Sequence, residues 1–161
     1  MSDELRRRTF ARAVKLLAAK PRSVAELRER LQRGKGTTET IVDTVITRLR
    51  EYGYLDDERL AFSYASSKVK QRPVGRRRLQ RDLKLKQIEN NVADEALELV
   101  YTETPEDQLI DRAIEKRIRL RGRPKTRAEA KSLFDHLLRQ GFEFELVSER
   151  VRSITHSDDD S

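Results

Sequence analysis

The sequence predicts an all-α protein built of tandem three-helix repeats, three repeats and about nine helices in all. Apolar residues recur along the chain at helical spacing. The helices are interrupted by breaks that recur in the same order, and the three copies so defined start roughly 50 residues apart. Counting from the second leucine of each middle helix tests the repeat. Leu31 precedes Ile41 and Val45 by ten and fourteen residues, Leu83 precedes Val92 and Ala96 by nine and thirteen, and Leu138 precedes Val147 and Val151 by nine and thirteen. A lone unit of about 50 residues is marginally stable, so neighbouring repeats are expected to share packing surface. The predicted repeats cover 1–55, 56–103 and 104–154, and the acidic tail 155–161 has nothing to bury and reads as disordered.

In the first repeat Phe10, Ala13, Val14 and Leu17 mark one face of a helix over Leu5–Ala19, which Lys20-Pro21-Arg22 breaks. Ser23-Val24-Ala25-Glu26 is a capping-box pattern, and Leu27 with Leu31 gives the buried stripe of the second helix. After Gly34-Lys35-Gly36, Thr37 or Thr38 can cap a third helix with Ile41, Val45, Ile46 and Leu49 on its face. Gly53, suited to the left-handed turn that closes a helix, begins the hinge block Gly53-Tyr54-Leu55-Asp56-Asp57. Asp56 is a good N-cap, and Asp57 and Glu58 place negative charge on the first turn that follows.

The order then repeats. Leu60, Ala61, Tyr64 and Ala65 face inward on a long helix from Asp57 to about Lys70, and Arg72-Pro73-Val74-Gly75 breaks it. Leu79 and Leu83 form the next i, i+4 pair, and Val92, Ala96 and Leu99 the stripe after it. In the third copy Thr104 reads as a cap with Pro105 at the first helical position, followed by Leu109, Ile110, Ala113 and Ile114. Leu120-Arg121-Gly122-Arg123-Pro124 is the break, and Thr126-Arg127-Ala128-Glu129 a second capping box leading to Phe134 and Leu138. Gly141 ends that helix, and Val147 and Val151 mark the last.

Composition narrows the function classes. Of 161 residues 36% are hydrophobic and 39% charged, and the formal charge of +7 with a pI near 9.9 favours polyanionic partners. No apolar run approaches the length needed to span a bilayer, and the N-terminus carries no signal-like segment. The basic helices also lack the strongly apolar, aromatic face of a membrane-surface helix. Without cysteine there is no disulfide, thiol nucleophile or thiolate metal site. A cytoplasmic location is the simplest expectation.

The hinge block, continued by Glu58-Arg59 and Ala61, together with Ser23, Glu26-Leu27, Leu31, Gly36, Ile41, Val45-Ile46 and Leu49 before it, resembles the RecX family of recombinase regulators. So does Arg72-Pro73-Val74-Gly75 with Arg78-Leu79 and Asp82-Leu83. The resemblance is strongest from Phe10 to Leu99 and continues as spacing to about Ile154. Leu60 stands where the family has phenylalanine, and Leu85-Lys86-Gln87-Ile88 lacks the glycine that ends the family's corresponding helix. The resemblance implies an elongated, crescent-like helical array. It also implies binding to RecA filaments on single-stranded DNA, inhibition of their ATP hydrolysis, strand exchange and co-protease activity, and weak direct DNA binding.

Two basic surfaces are candidates for such contacts. Between Lys68 and Lys86 nine basic residues face one acidic residue, Asp82. On a helix over 75–86, Arg77, Arg81 and Lys84 lie within about 60° of one another, opposite Leu79 and Leu83. Arg78 lies on the flank and Arg72 just before. Arg76 falls near the leucine stripe and is expected to snorkel or pair with a carboxylate. Arginine forks suit phosphates and acidic groups alike. The second surface is Arg117, Arg119, Arg121, Arg123, Lys125 and Arg127, partly on a loop that can mould to a backbone. Arg6-Arg7-Arg8 reads as a solvated helix start.

The remaining chemistry is sparse. Asp56 and Asp57 are adjacent capping residues, not a convergent acid–base pair, and His136 and His156 do not share a ligand set. Tyr52 and Tyr54 adjoin the hinge and are read as packing between repeats. No phosphate-cradling glycine loop or nucleophile–base spacing is present. The expectation is a monomeric binding protein, not an enzyme, with no metal or cofactor. The alternative is a general DNA- or RNA-binding helical-repeat protein that needs no recombinase and presents a helix to a groove.

Overall fold

The computed structural model describes residues 2–157, with side chains over 3–155. Those residues form nine α-helices and no strand. They are α1 (Ser2–Ala19), α2 (Val24–Gln32), α3 (Glu39–Glu51), α4 (Asp57–Gln71), α5 (Arg76–Leu85), α6 (Asn90–Glu103), α7 (Glu106–Arg121), α8 (Arg127–Arg139) and α9 (Phe144–Ser157). Packing divides the described residues into two compact units, one drawn from 2–61 and 83–93 and the other from 62–82 and 94–157. The helices α4, α5 and α6 contribute to both.

In the first unit α1, α2 and α3 pack against one another. Ala13, Leu27, Leu31, Ile41, Val42, Val45, Ile46, Leu49 and Leu55 form its core, with Leu5, Phe10, Leu16, Leu17 and Val24 packed against them. The capping box at Ser23 forms as expected: its Oγ accepts from the Glu26 N–H at 3.1 Å, and the Glu26 carboxylate accepts from the Ser23 N–H at 3.0 Å. Ser23 is also fully buried, and its hydroxyl donates to the Lys86 carbonyl at 2.5 Å. One side chain therefore caps α2 and ties it to the turn after α5. Ser23→Ala should cost about 2 kcal/mol, roughly half from the cap and half from the donated bond. Thr126, the N-cap of α8, is exposed and serves only as a cap, so Thr126→Ala should cost about 1 kcal/mol. Urea unfolding of the two variants reads the difference.

Of the two threonines before α3, Thr38 is the cap, accepting from the Ile41 N–H. The turn after α5, where the resemblance leads to an expected glycine, takes the left-handed conformation that favours glycine: Gln87 has φ 61°. Its N–H donates to the Lys84 carbonyl and the Ile88 N–H to the Leu83 carbonyl, the paired bonds of a Schellman closure. The Gln87 side chain donates to the Glu29 carboxylate at 3.0 Å, a bond glycine could not make.

In the second unit α7, α8 and α9 pack against one another, with Leu109, Ile110, Ala113, Ile114, Leu133, Leu137, Phe142 and Val147 buried. Four sequence expectations need correction here. On α8 the buried pair is Leu133 and Leu137; Phe134 and Leu138 sit one position round, half-buried, and Phe134 meets Phe144 edge-on at 5.3 Å. On α6 the buried stripe is Ala93, Ala96, Leu97 and Val100, and Leu99 is 59% exposed. Pro105 is itself the N-cap of α7, its carbonyl taking the first helical bond from Leu109, and it offers no side-chain cap; the Asp107 carboxylate accepts from the Gln108 N–H instead. Glu129 does not close a capping box on Thr126; its carboxylate accepts instead from the Lys125 N–H at 2.6 Å. The last helix also runs on through Ser157, so residues 155–157 are helical, whereas 158–161 of the expected disordered tail lie outside the described residues.

The break Pro73-Val74-Gly75 docks on the turn between α8 and α9. The Gly75 N–H donates to the Gln140 carbonyl at 2.8 Å and the Arg77 N–H to the Gly141 carbonyl at 3.1 Å. Tyr101 Oη donates to the Val74 carbonyl at 2.8 Å. Both glycines are buried, and this seam fixes where α5 begins.

Candidate nucleic-acid interface

The basic side of α5 follows from its apolar side. Leu79 and Leu83 are fully buried, so the opposite side must face solvent, and Arg77, Arg81 and Lys84 are exposed there. None of the three forms an ion pair with a described residue, nor does Arg72, which is exposed at the end of α4. Arg76 behaves differently, as its place near the leucines requires: its side chain is 26% exposed and pairs with Glu98 at 3.2 Å. Arg78 is half-buried on the flank and donates to Gln140 Oε1 at 3.2 Å.

Asp82, the acid within this basic stretch, is half-buried and accepts from Tyr64 Oη at 2.8 Å. Burial first, and then the Asp82 carboxylate, push the Tyr64 hydroxyl up to about 12. Tyr64 thus remains a donor at neutral pH and ties the acid down. Lys68 lies over the same ring, 5.5 Å from its centre. The outer side of α5 is therefore positive, with Asp82 held away from it and Glu106 near its first turn, beside Arg76 and Arg77.

The hinge block serves architecture. Gly53 takes φ 77° and closes α3, and Leu55 is buried. Asp56 caps its own helix, accepting from the Arg59 N–H at 3.2 Å. Asp57 reaches back and accepts from the Val24 N–H at 2.9 Å, satisfying an orphan donor at the start of α2. Burial is the main cause holding its carboxyl above the ordinary range.

Tyr52 and Tyr54 do not pack between repeats as the sequence predicts. They are 55% and 64% exposed, because the Schellman turn carries both rings outward while Leu55 takes the core position. With Phe10, Val14, Leu17, Ala18 and Arg48 they line an open apolar cleft in the first unit.

The second basic stretch does not form one face. Arg117 and Arg121 share a side of α7, with Arg119 about 200° round from Arg117. Arg123, Lys125 and Arg127 are exposed along the loop and the start of α8. Arg117 donates to Ser132 Oγ on α8 at 3.3 Å. Burial, then Arg121 and Arg139, lower the Arg117 pKa; burial, then Arg117, Arg139 and Arg121, hold His136 below its usual 6.5. The sequence reading does not single out Arg139 and treats His136 only as a residue without a ligand set; His136 is a half-buried residue of α8. Their i, i+3 spacing was legible, but not that α8 would turn them toward Arg117 and Arg121.

Among the described residues no group of histidine and carboxylate side chains could hold a metal ion, and no helix is long and apolar enough to cross a membrane.

Comparison with known proteins identifies the architecture. Residues 10–49 match the family model for the first three-helix domain of RecX, and residues 56–97 match the model for the second. The chain is 31% identical over 152 residues to the regulatory protein RecX of Chlorobium limicola, covering 94% of this chain and 92% of that one. It is 28% identical over 151 residues to the RecX of Bacillus licheniformis, covering 94% of this chain but only 57% of that longer relative. A crystal structure of RecX from Lactobacillus salivarius superposes with a TM-score of 0.82 at 19% identity, over 96% of this chain and 99% of that one. Two successive three-helix domain matches and a 31% identical relative covered nearly end to end place this chain in the RecX family of regulatory proteins.

Proposed function

We propose that this chain regulates recombination and DNA repair, including the SOS response, by binding RecA filaments on single-stranded DNA in the cytoplasm. It acts by contact, without a cofactor, as a monomer that damps ATP hydrolysis, strand exchange and co-protease activity. The repeats 1–55, 56–103 and 104–154 are the units of that contact. The observation that carries the reading, beside family membership, is the outer side of α5. Arg77, Arg81 and Lys84 stand exposed there with no ion pair to a described residue, and Asp82 is held aside by Tyr64. A helix kept positive in this way suits DNA phosphates or acidic groups on a filament. Contacts across several filament subunits would resist the rotations that accompany ATP turnover.

The test is RecA ATP hydrolysis on saturating single-stranded DNA, titrated with this protein, with and without excess competitor DNA. Inhibition at sub-stoichiometric protein that survives the added DNA is the expected result. Inhibition erased by the added DNA would instead identify a nucleic-acid binder that competes for the lattice, and no inhibition would remove the recombinase from the reading.

A further inference from the structure

We propose that the crease between α7 and α8 is an oxyanion site that takes a phosphoryl group through Arg117, Arg121 and Ser132, with Arg139 and His136 as flanking neighbours on α8. The proposal is independent of the filament reading and concerns a different helix pair from the α5 face.

Partly buried arginines elsewhere are held by carboxylates or by neutral acceptors: Arg76 by Glu98 and Arg150 by Asp111, Arg78 by Gln140 and Arg22 by the Leu16 carbonyl. In the crease no arginine pairs with a carboxylate of a described residue. Arg121 and Arg139 form no ion pair with a described residue, and Arg117 has the neutral Ser132 hydroxyl as its partner. On α8, His136 and Arg139 follow Ser132 at i+4 and i+7, on the side that meets Arg117, and burial together with the neighbouring arginines lowers the pKa of both Arg117 and His136. Convergent like charges oppose folding unless an anion offsets them.

The geometry suits a small tetrahedral anion. A cleft of about 230 Å³ opens beside Arg117, Arg121, Gly122 and Ser132, room for a phosphoryl group and several waters at ~30 Å³ each. One guanidinium fork matches the two oxygens of a carboxylate; the two forks of Arg117 and Arg121 with the Ser132 hydroxyl, which line the cleft, match an anion with more oxygens, and Arg139 and His136 lie on α8 outside that lining. Glu129 also lines the cleft, and its carboxylate is engaged by the Lys125 N–H at 2.6 Å. Lys131 and Asp135 on α8 pair with each other at 3.6 Å. The phosphoryl group can come from a nucleic-acid backbone or from free phosphate, and the chemistry of recognition is shared.

His136 supplies a readout. In the free protein its neighbours hold its pKa below 6.5, and an anion bound among those neighbours must raise it. The full chain is titrated with inorganic phosphate against sodium chloride of equal ionic strength, and the imidazole pKa is followed by NMR. The two histidines are separated by a His156→Gln variant. The expected result is a saturable rise with phosphate that chloride does not reproduce, weakened about tenfold in Arg121→Gln and in Arg139→Gln. Both positions are exposed on their helices, so the variants fold. A second arm adds a twelve-residue oligothymidylate. A saturable rise in the His136 pKa with the oligonucleotide in phosphate-free buffer assigns the site to a nucleic-acid backbone, whereas a response to inorganic phosphate alone assigns it to free phosphate. Equal effects of phosphate and chloride, or an undiminished phosphate response in both arginine variants, would overturn the site.

Discussion

Gly75→Ala should destabilise the second unit by about 3–5 kcal/mol, a drop in melting temperature on the order of 10 °C. A methyl group at Gly75 would sit inside the backbone of the α8–α9 turn, against the Gly141 carbonyl and the Phe142 nitrogen, far closer than atoms can approach. These neighbours are backbone atoms and cannot swing aside. The seam must open, stretching the Gly75–Gln140 and Arg77–Gly141 hydrogen bonds and loosening Phe142, which is 1% exposed. Overpacking of this kind costs about 1–3 kcal/mol and each buried hydrogen bond left unmade about 1–3 kcal/mol. Against a typical total of about 5–15 kcal/mol, that is a large share. Gly141→Ala meets Arg78 backbone from the other side and adds the strain of φ 94°. Because either change alone opens the seam, the double variant should cost clearly less than the sum of the two. Gly53→Ala is the control: φ is 77° but nothing lies within 4 Å of the added methyl group, so only about 1–2 kcal/mol of backbone strain is expected. Similar losses at Gly53 and Gly75 would show that conformation, not the seam, governs the glycine.

The seam joins loops some 65 residues apart in the chain, and no local pattern announces it. What the sequence does announce is periodicity, and its errors have a common cause. Leu133-Phe134 and Leu137-Leu138 offer two i, i+4 pairs one residue apart, so helical spacing alone cannot choose between them. Packing chooses Leu133 and Leu137, and Phe134 turns to Phe144. With that register the repeat becomes more regular than spacing alone suggests. Leu31, Leu83 and Leu137 are each followed at ten residues by Ile41, Ala93 and Val147, all buried, and at fourteen by Val45, Leu97 and Val151. Ala93 and Leu97 escape notice in the sequence because Val92 and Leu99 look like better core residues, yet burial in a helix is set by angle before side-chain size. Caps are legible where the chemistry is local, as at Ser23, Thr38 and Asp56. Asp57, which caps α2 instead of its own helix, requires knowledge of which elements meet. The same limit applies to the basic surfaces. The α5 face is readable from one helix, since the leucines fix the inside. The α7–α8 crease needs two helices brought together, and grouping basic residues by position mixes Arg119, on the far side of α7, with those that converge.

Replacing Arg77, Arg81 and Lys84 together by glutamate should abolish inhibition of the filament, raising the concentration needed by at least about a hundredfold, if α5 is the contact we propose. Each replacement changes the charge by two, so the three take the chain from +7 to +1. Removing a phosphate-binding cation should also flatten the dependence of log affinity on log salt by about 0.7 for a single strand, about 2 for the three. Loss of fold is a poor alternative explanation. All three positions are exposed, none is ion-paired with a described residue, and the leucine side of α5 is untouched. A glutamate at position 77 lies in the first turn of α5, where the helix dipole favours it but the Glu106 carboxylate opposes it, so helicity of the triple variant is measured alongside inhibition. Arg76→Glu provides the contrast. It puts a carboxylate beside Glu98 at a position whose side chain is only 26% exposed, so its first effect should be on stability. Binding measured at a temperature where that variant remains folded should change far less than in the triple variant. Retained helicity with abolished inhibition and a reduced salt slope would locate the contact on α5. Undiminished inhibition by a folded triple variant would remove α5 from the interface and leave the α7–α8 crease as the next surface to reverse.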